Sequence, residues 1–584
     1  MQLSRREFLR ILGLAGAAGL LPGIASAAGG RNDLYDIERF GDVRLMHLTD
    51  THAQLLPVYY REPSFNLGLG SAAARPPHLV TSAFLNYFGI DRNSQLAYAF
   101  TSINFTEAAE RFGKLGGYAH IKTLADRLRT DFGHDKTLLL DSGDTWQGSG
   151  TAFWTRGADM VEAGNLLGVD VMTGHWEFTY LEEEVRRNLA AFKGDFVAQN
   201  VKVKEDALFA GAKAFDEQSG HVFKPYVVRT LGRHRVAVIG QAFPYTPIAN
   251  PARFIPDWTF GINSADLQQL VDRIRAKEKP DAVVLISHNG MDVDIKLAGQ
   301  VSGIDVIFGG HTHDAVPKPF EVRNPGGRTL VTNAGSNGKF LGVIDLKFSG
   351  GKVSDYRYRL LPVFSNELPA HPGMQAMIDR IRAPYLSKLQ EPLATADTLL
   401  YRRGNFDGPF DQLICDALRQ RNEAQIALSP GFRWGTTILP GQAITMEHVL
   451  DQTCMTYPET YAREMTGQQI KEVLEDVADN LFNPDPFYQQ GGDMVRVGGM
   501  NYRIDPGASF GNRIDEMRLD DGKKMDASKK YRVAGWATVG SKSPGEPVWE
   551  TVAAYLRDHK RVGINKLNTP VLKNLQPNPG MDLS

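Results

Sequence analysis

The stretch VRLMHLTDTHAQ, residues 43–54, opens with a short apolar run and ends on Asp50-Thr51-His52. The run is too short for a stable helix and reads as a buried strand. A carboxylate and an imidazole therefore stand just beyond its carboxyl end. Five more runs read the same way: 136–142, 235–241, 281–287, 305–310 and 328–334. Amphipathic segments alternate with them, the pattern of an α/β or layered α/β/α domain. Polar residues recur after these strands. LLDSGDTWQG (139–148) supplies Asp144, MTGHWEF (172–178) His175, LISHNG (285–290) His288, and FGGHTHDAV (308–316) His311 and His313. Strand carboxyl ends share one edge of an open α/β sheet, where such folds place their sites.

The pattern spans about 38–362, with an aromatic- and Pro-rich insertion at 56–113 that is too long for a plain connection. Residues 363–395 read as a linker helix with Pro-bearing ends, and 396–572 as a second, mixed α/β domain that binds substrate. At the N-terminus, Arg5-Arg6 precedes a Gly/Ala-rich apolar run ending in Ala25-Ser26-Ala27, which reads as a twin-arginine secretory signal over 1–27. That run is too short to cross a hydrocarbon core of ~30 Å. The mature chain is expected to be periplasmic, with no membrane span. A net charge of −2 gives no footing for nucleic acid or an anionic membrane surface. The only cysteines, Cys415 and Cys454, exclude a Cys₄ zinc site. They read as small buried apolar residues, though one bridge remains open.

A single histidine at a strand end is usually a satisfied surface or core residue. Five such segments in order, each at a strand terminus, are hard to obtain by chance. Together they supply Asp50, His52, Asp144, His175, His288, His311 and His313. This is more than one tetrahedral ion uses, and the mixture suits divalent transition metals. Two ions sharing Asp144, ~3.5–4 Å apart, would use the set and could brace an in-line displacement.

In this order the motifs resemble the calcineurin-like metallophosphoesterases and, within them, the 5′-nucleotidase branch: Asp50-x-His52, Gly143-Asp144, Gly174-His175-Trp176-Glu177, His288 and Gly310-His311-Thr312-His313. The likeness continues through 404–419, 427–435 and 465–476. It implies an α/β/β/α sandwich joined by a helix to a 5′-nucleotidase-type α/β domain. It places Asp50, His52, Asp144 and His313 on one ion, and Asp144, His175, His288 and His311 on the other. Arg433 matches the position that meets the substrate's anionic group. Glu177 and Trp176 would border the ligands, with Glu177 orienting a ligand or loop. Asn289 and Asn333 are read as turn residues.

One motif departs from the pattern. The family carries Asn-His where this chain has His175-Trp176. His175 can replace the Asn ligand, but an indole cannot protonate a leaving group as the family's histidine does. An alkoxide leaving group benefits from such an acid. A thiol, with a pKa near ~8.5, leaves readily as its anion. With the insertion and the export signal, the chain is thus similar to the SoxB thiosulfohydrolases of bacterial sulfur-oxidation systems. That resemblance implies two Mn²⁺ ions and hydroxide attack on a sulfone sulfur. It also implies release of sulfate from a cysteine S-thiosulfonate on the carrier protein SoxYZ. The carrier arm would thread a cleft lined by stretches such as 59–65, 482–493 and 497–505. The alternatives are an exported 5′-nucleotidase or phosphodiesterase, and a non-catalytic binding protein with a vestigial site.

Overall fold

The computed structural model describes residues 34–582 except 541 and 576. The expected leader over 1–27 lies outside the described residues.

Two mixed sheets of six strands build the first half. In the first, Val43–Leu48, Thr137–Asp141, Val171–Met172 and Asp195–Phe196 run parallel, and the hairpin Phe340–Ser349 with Lys352–Pro362 closes one edge. In the second, His234–Gln241, Ala282–Ser287, Val306–Gly309 and Gly327–Asn333 are parallel, with Tyr226–Leu231 and Phe320–Asn324 antiparallel at the edges. The strands read from sequence match these to within one residue at either end. Every residue of Val43–Leu48 and Ala282–Ser287 is buried, which is why the second reads as an almost unbroken apolar run and the first is interrupted only by Arg44 and His47.

The sheets face each other. The rings of His47 and Phe308 meet at 5.0 Å, and the Thr332 hydroxyl donates to Tyr358 Oη at 2.6 Å. On the outer face of the second sheet, Leu267, Leu270, Val271 and Ile274 of helix Ser264–Lys277 pack with Met291 and Leu297 of Met291–Gln300 over Ala237, Ile239, Val283, Leu285 and Ile307. This is the α/β/β/α order. Arg44 is charged yet lies inside the first sheet, where Asp345 on the neighbouring strand receives its Nε and Nη2 at 2.7 and 2.8 Å.

The expected linker helix is shorter than its sequence reading. Helix Pro372–Arg382 passes through a turn into Leu386–Leu389, and Pro392–Ala396 is already a strand between Ala443–Thr445 and Arg561–Val562. A four-stranded sheet follows, in the order Thr460–Thr466, Lys530–Trp536, Ile426–Gly431, Asp493–Gly498. Helix Pro409–Arg421 covers one face of it through Phe410 and Ile414. Helix Val548–His559 packs on that helix and on strand Pro392–Ala396, with Val552 and Leu556 in the same core cluster. From Arg39 onward the chain is one compact unit. Trp176 of the first half belongs to the same core cluster as Phe410 and Trp434 of the second.

The insertion is structured. It carries the short helices Thr81–Phe88, Gln95–Phe100 and Phe105–Phe112, and Phe100 stacks on Phe340 at 4.8 Å. Cys415 and Cys454 are both free and buried. Among the described residues, no helix is long and apolar enough to cross a membrane.

Candidate metal centre

The loops after the parallel strands interlock through their backbones. Asp50 N–H donates to the Gly143 carbonyl, His52 N–H to Asp144, and Asn337 N–H to Asp50, each at 2.8 Å. To turn inward this sharply, Asp50, His52, Asp144, His311 and His313 adopt φ of +50°, +45°, +59°, +74° and +60°. A left-handed φ is unusual for residues other than glycine, and clusters of such residues occur at functional sites.

These turns gather all seven expected ligand residues. Asp50, His52, Asp144 and His313 form one group and Asp144, His175, His288 and His311 another, with the ligand atoms of each group within 4.8 Å of one another. Asp144 faces both. Its Oδ1 is 3.3 Å from His175 Nδ1, and its Oδ2 is 3.0 Å from His288 Nε2 and 3.8 Å from His52 Nε2. Asp50 Oδ1 lies 3.2 Å from His313 Nε2 and 3.6 Å from His288 Nε2.

The donor set fits divalent cations. Both ring nitrogens of His175, and Nε2 of His288, are buried without a hydrogen-bond partner among the described residues. An unsatisfied buried polar atom costs about 1–3 kcal/mol, and a cation is the partner these atoms lack. Burial keeps His52, His175, His311 and His313 below the usual imidazole range, so each offers a lone pair. Burial also opposes charge on His288, yet Asp144 and Asp50 raise it to about 10. Burial would raise Asp144 in turn, but His288 and His175 hold it well below the carboxylate range. Two carboxylates crowded this closely call for positive charge between them. His288 Nδ1 donates to the Ser142 carbonyl at 2.6 Å, which leaves Nε2 turned to the centre.

Glu177 holds the Asp144 turn in place. Its fully buried carboxylate accepts from the backbone N–H of Asp144 (3.2 Å), Thr145 (2.7 Å), Trp146 (3.2 Å) and His175 (2.8 Å). Trp176 N–H donates to Asp144 Oδ1 at 2.8 Å. The Trp176 ring is sealed by Trp434 at 5.1 Å, Phe432 at 5.6 Å and Tyr457 at 6.5 Å. Arg433 stands behind the His311-x-His313 turn, where Nη1 donates to the Thr312 carbonyl (3.3 Å) and Nη2 to the Gly492 carbonyl (2.6 Å). Asn289 bonds Asp294 and Gln241, and Asn333 accepts from Gly335 N–H, so both brace turns.

Of the three stretches considered for a carrier cleft, 482–493 reaches the centre, where the Gln490 carbonyl lies 3.0 Å from His311 Nε2. In 59–65, Glu62 pairs with buried Lys339 at 2.7 Å. Strand Met500–Ile504 turns Met500, Tyr502 and Ile504 into a core.

Two residues near the centre escaped sequence reading. Arg403 is buried and donates to the same Thr312 carbonyl at 3.1 Å, and its only sequence signal was an arginine pair before Gly404. Asp141 receives Gly143 N–H at 2.9 Å and the Thr145 hydroxyl at 2.7 Å, and burial pushes its carboxyl up to about 7. Its signal was a carboxylate closing a buried strand.

Residues 392–549 match the family model described as the 5′-nucleotidase C-terminal domain. The chain is 28% identical over 487 residues to the trifunctional nucleotide phosphoesterase YfkN of Bacillus subtilis, an alignment spanning 74% of this chain and 32% of that protein. It is 28% identical over 337 residues to the 5′-nucleotidase of Bos taurus, spanning 53% and 55%. The chain thus spans about a third to a half of the length of these curated relatives. Among solved structures, a 5′-nucleotidase precursor from Thermus thermophilus shares the fold, at TM-score 0.71, 22% identity and 91% and 99% coverage. The sulfate thiohydrolase SoxB of Thermus thermophilus, solved with glycerol, superposes at TM-score 0.86 with 37% identity, covering 92% of this chain and 98% of that one. Likeness at this identity over nearly the whole of both chains places the protein in the SoxB family, within the 5′-nucleotidase group of hydrolases.

Proposed function

We propose that the chain is a thiosulfohydrolase that releases sulfate from a cysteine S-thiosulfonate on the carrier SoxYZ. Export by the twin-arginine leader would make it periplasmic, with residues 396–572 contributing the substrate-binding half. The observation that carries this reading is Trp176. It follows the ligand candidate His175, lies against the Asp144 turn, and presents an indole with no proton to give at working pH.

In the reaction, water attacks the terminal sulfone sulfur, the S–S bond breaks and sulfate departs. Two protons are released to solvent, and the carrier keeps its sulfane sulfur as an anion that needs no acid. Asp50, His52, Asp144 and His313 would hold one divalent ion, and Asp144, His175, His288 and His311 the other. When bound, the ions supply Lewis acidity and bring water's pKa toward neutrality. We take both as Mn²⁺, the metal the sequence resemblance implies. Arg433 would bring its guanidinium to the sulfonate oxygens by exchanging a backbone carbonyl for the anion. The crevice bordered by His78, Asp292, His311, Asn405 and Arg433 holds about 50 Å³, so a carrier arm has to part the surrounding side chains on entry.

The curated relatives make nucleotide hydrolysis the competing reading. Against it stands Trp176, which occupies the position of the leaving-group acid and is sealed by Phe432 and Trp434, themselves stacked with centroids 4.2 Å apart. The test supplies the Mn²⁺-loaded protein in parallel with AMP and a thiosulfonated cysteine peptide bearing a Gly-rich tail. Sulfate without phosphate is the expected result. Faster phosphate release from AMP would overturn the assignment.

A further inference from the structure

The segment Asp485–Gly492 comes from the second half of the chain and lies across the first. It is fastened at several points. The Lys296 ammonium pairs with the Asp485 carboxylate and sits 3.9 Å from the Phe487 ring centroid. The Tyr245 hydroxyl donates to the Phe487 carbonyl, and Arg433 Nη2 donates to the Gly492 carbonyl at 2.6 Å. Between these fastenings the Gln490 carbonyl meets His311 Nε2 at 3.0 Å.

A backbone carbonyl only accepts, so this contact requires the proton of His311 on Nε2 and leaves Nδ1 bare. Gly491 permits the approach. Its φ is +74°, and a Cβ there would stand 2.0 Å from His311 Nε2. Any larger residue would be strained at this φ and would force the His311 ring to move.

We propose that Asp485–Gly492 is a positioning strap whose Gln490 carbonyl fixes the tautomer and orientation of His311 for the ion shared with Asp144, His175 and His288. Seating of the strap and affinity for that ion are then linked. The proposal rests on the reading that the two side-chain groups hold two ions. It adds that one of the two answers to a loop from the other half of the chain. Hydrogen-bond partners of this kind typically change metal affinity by about tenfold to a hundredfold. Linkage is reciprocal, so occupancy of the ion must steady the strap by the same factor.

The test is a Mn²⁺ titration by calorimetry of the full chain and of its Gly491→Ala and Lys296→Met variants, with low-temperature EPR of the same samples. Wild type is expected to bind two ions and show an exchange-coupled spectrum. Gly491→Ala is expected to keep one ion at wild-type affinity and to bind the other about tenfold to a hundredfold more weakly, with isolated-ion spectra at intermediate loading. Lys296→Met, which loosens the strap without touching the centre, should move the same ion by a smaller factor. In wild type, amides of 485–492 should exchange more slowly once the second ion is bound. Should Gly491→Ala fail to fold, the Lys296 variant and the exchange experiment decide. Wild-type constants for both ions in the variants, or strap exchange indifferent to Mn²⁺, overturns this proposal alone. A wild-type chain that binds no ion overturns the paired-metal reading and this proposal with it.

Discussion

Glu177→Gln tests the support of the Asp144 turn. The carboxylate serves four backbone N–H groups, two at each oxygen: Thr145 and Trp146 at Oε1, Asp144 and His175 at Oε2. Glutamine keeps one accepting oxygen and turns an NH₂ toward the other two donors. Two charge-assisted hydrogen bonds are lost, worth about 1.5–3 kcal/mol each, which gives roughly 3–6 kcal/mol. Burial raises the Glu177 carboxyl, so removing the charge returns part of this and favours the low end, about 3 kcal/mol. The loss is local to the turn. Hydrogen exchange at the amides of Asp144, Thr145, Trp146 and His175 should therefore accelerate on the order of a hundredfold, at about 1.4 kcal/mol per factor of ten. Exchange within threefold of wild type at all four amides would mean that the turn is held by other contacts, and that the four-donor reading is wrong.

Trp176→His should loosen the aromatic seal and lower stability by about 2–4 kcal/mol. By supplying an acid, it should raise phosphate release from AMP tenfold or more without raising sulfate release. Unchanged AMP turnover would show that this position does not select the leaving group. Burial pushes the Asp159 carboxyl up to about 6 from 3.8, so between those values the folded state binds the extra proton and stability falls as pH rises. Asp159→Asn lacks that slope and should gain on wild type by about 3 kcal/mol from pH 4 to pH 7 in paired melting curves, whereas a constant difference would refute it. Cys415 and Cys454 are free and buried, and burial raises both thiols, so a thiol reagent should modify neither until denaturant is added.

Parallel strands such as Ala282–Ser287 were legible because burial on both faces leaves a nearly continuous apolar run, whereas the two-residue strands Val171–Met172 and Asp195–Phe196 are too short to leave one. The ligand candidates were legible because strand ends with Asp and His are rare and here come in series. The insertion was harder. Its helices are six to eight residues long, too short for a periodic pattern to rise above composition, and Phe105–Phe112 starts from Asn104 in a left-handed conformation without a side-chain cap. The linker helix was overextended because nothing local marks Pro392–Ala396 as a strand, whose partners lie some 50 and 165 residues away at Ala443–Thr445 and Arg561–Val562. Gln490 and Gly491 were invisible as neighbours of His311 for the same reason. They meet it across 179 residues of chain, and no local spacing encodes such a meeting.

The left-handed turns at Asp50, His52, Asp144, His311 and His313 carry strain as well as a geometry. Each costs on the order of 1 kcal/mol relative to a relaxed backbone. Together that is about 5 kcal/mol, comparable to the low end of a domain's whole margin of stability. Glycine at any of the five would relieve the strain and remove a ligand candidate in the same step. Strain and ligation are thus carried by the same five residues. Glycine at any of them should steady the backbone while weakening cation binding, whereas a turn with a purely structural role would gain the first without the second.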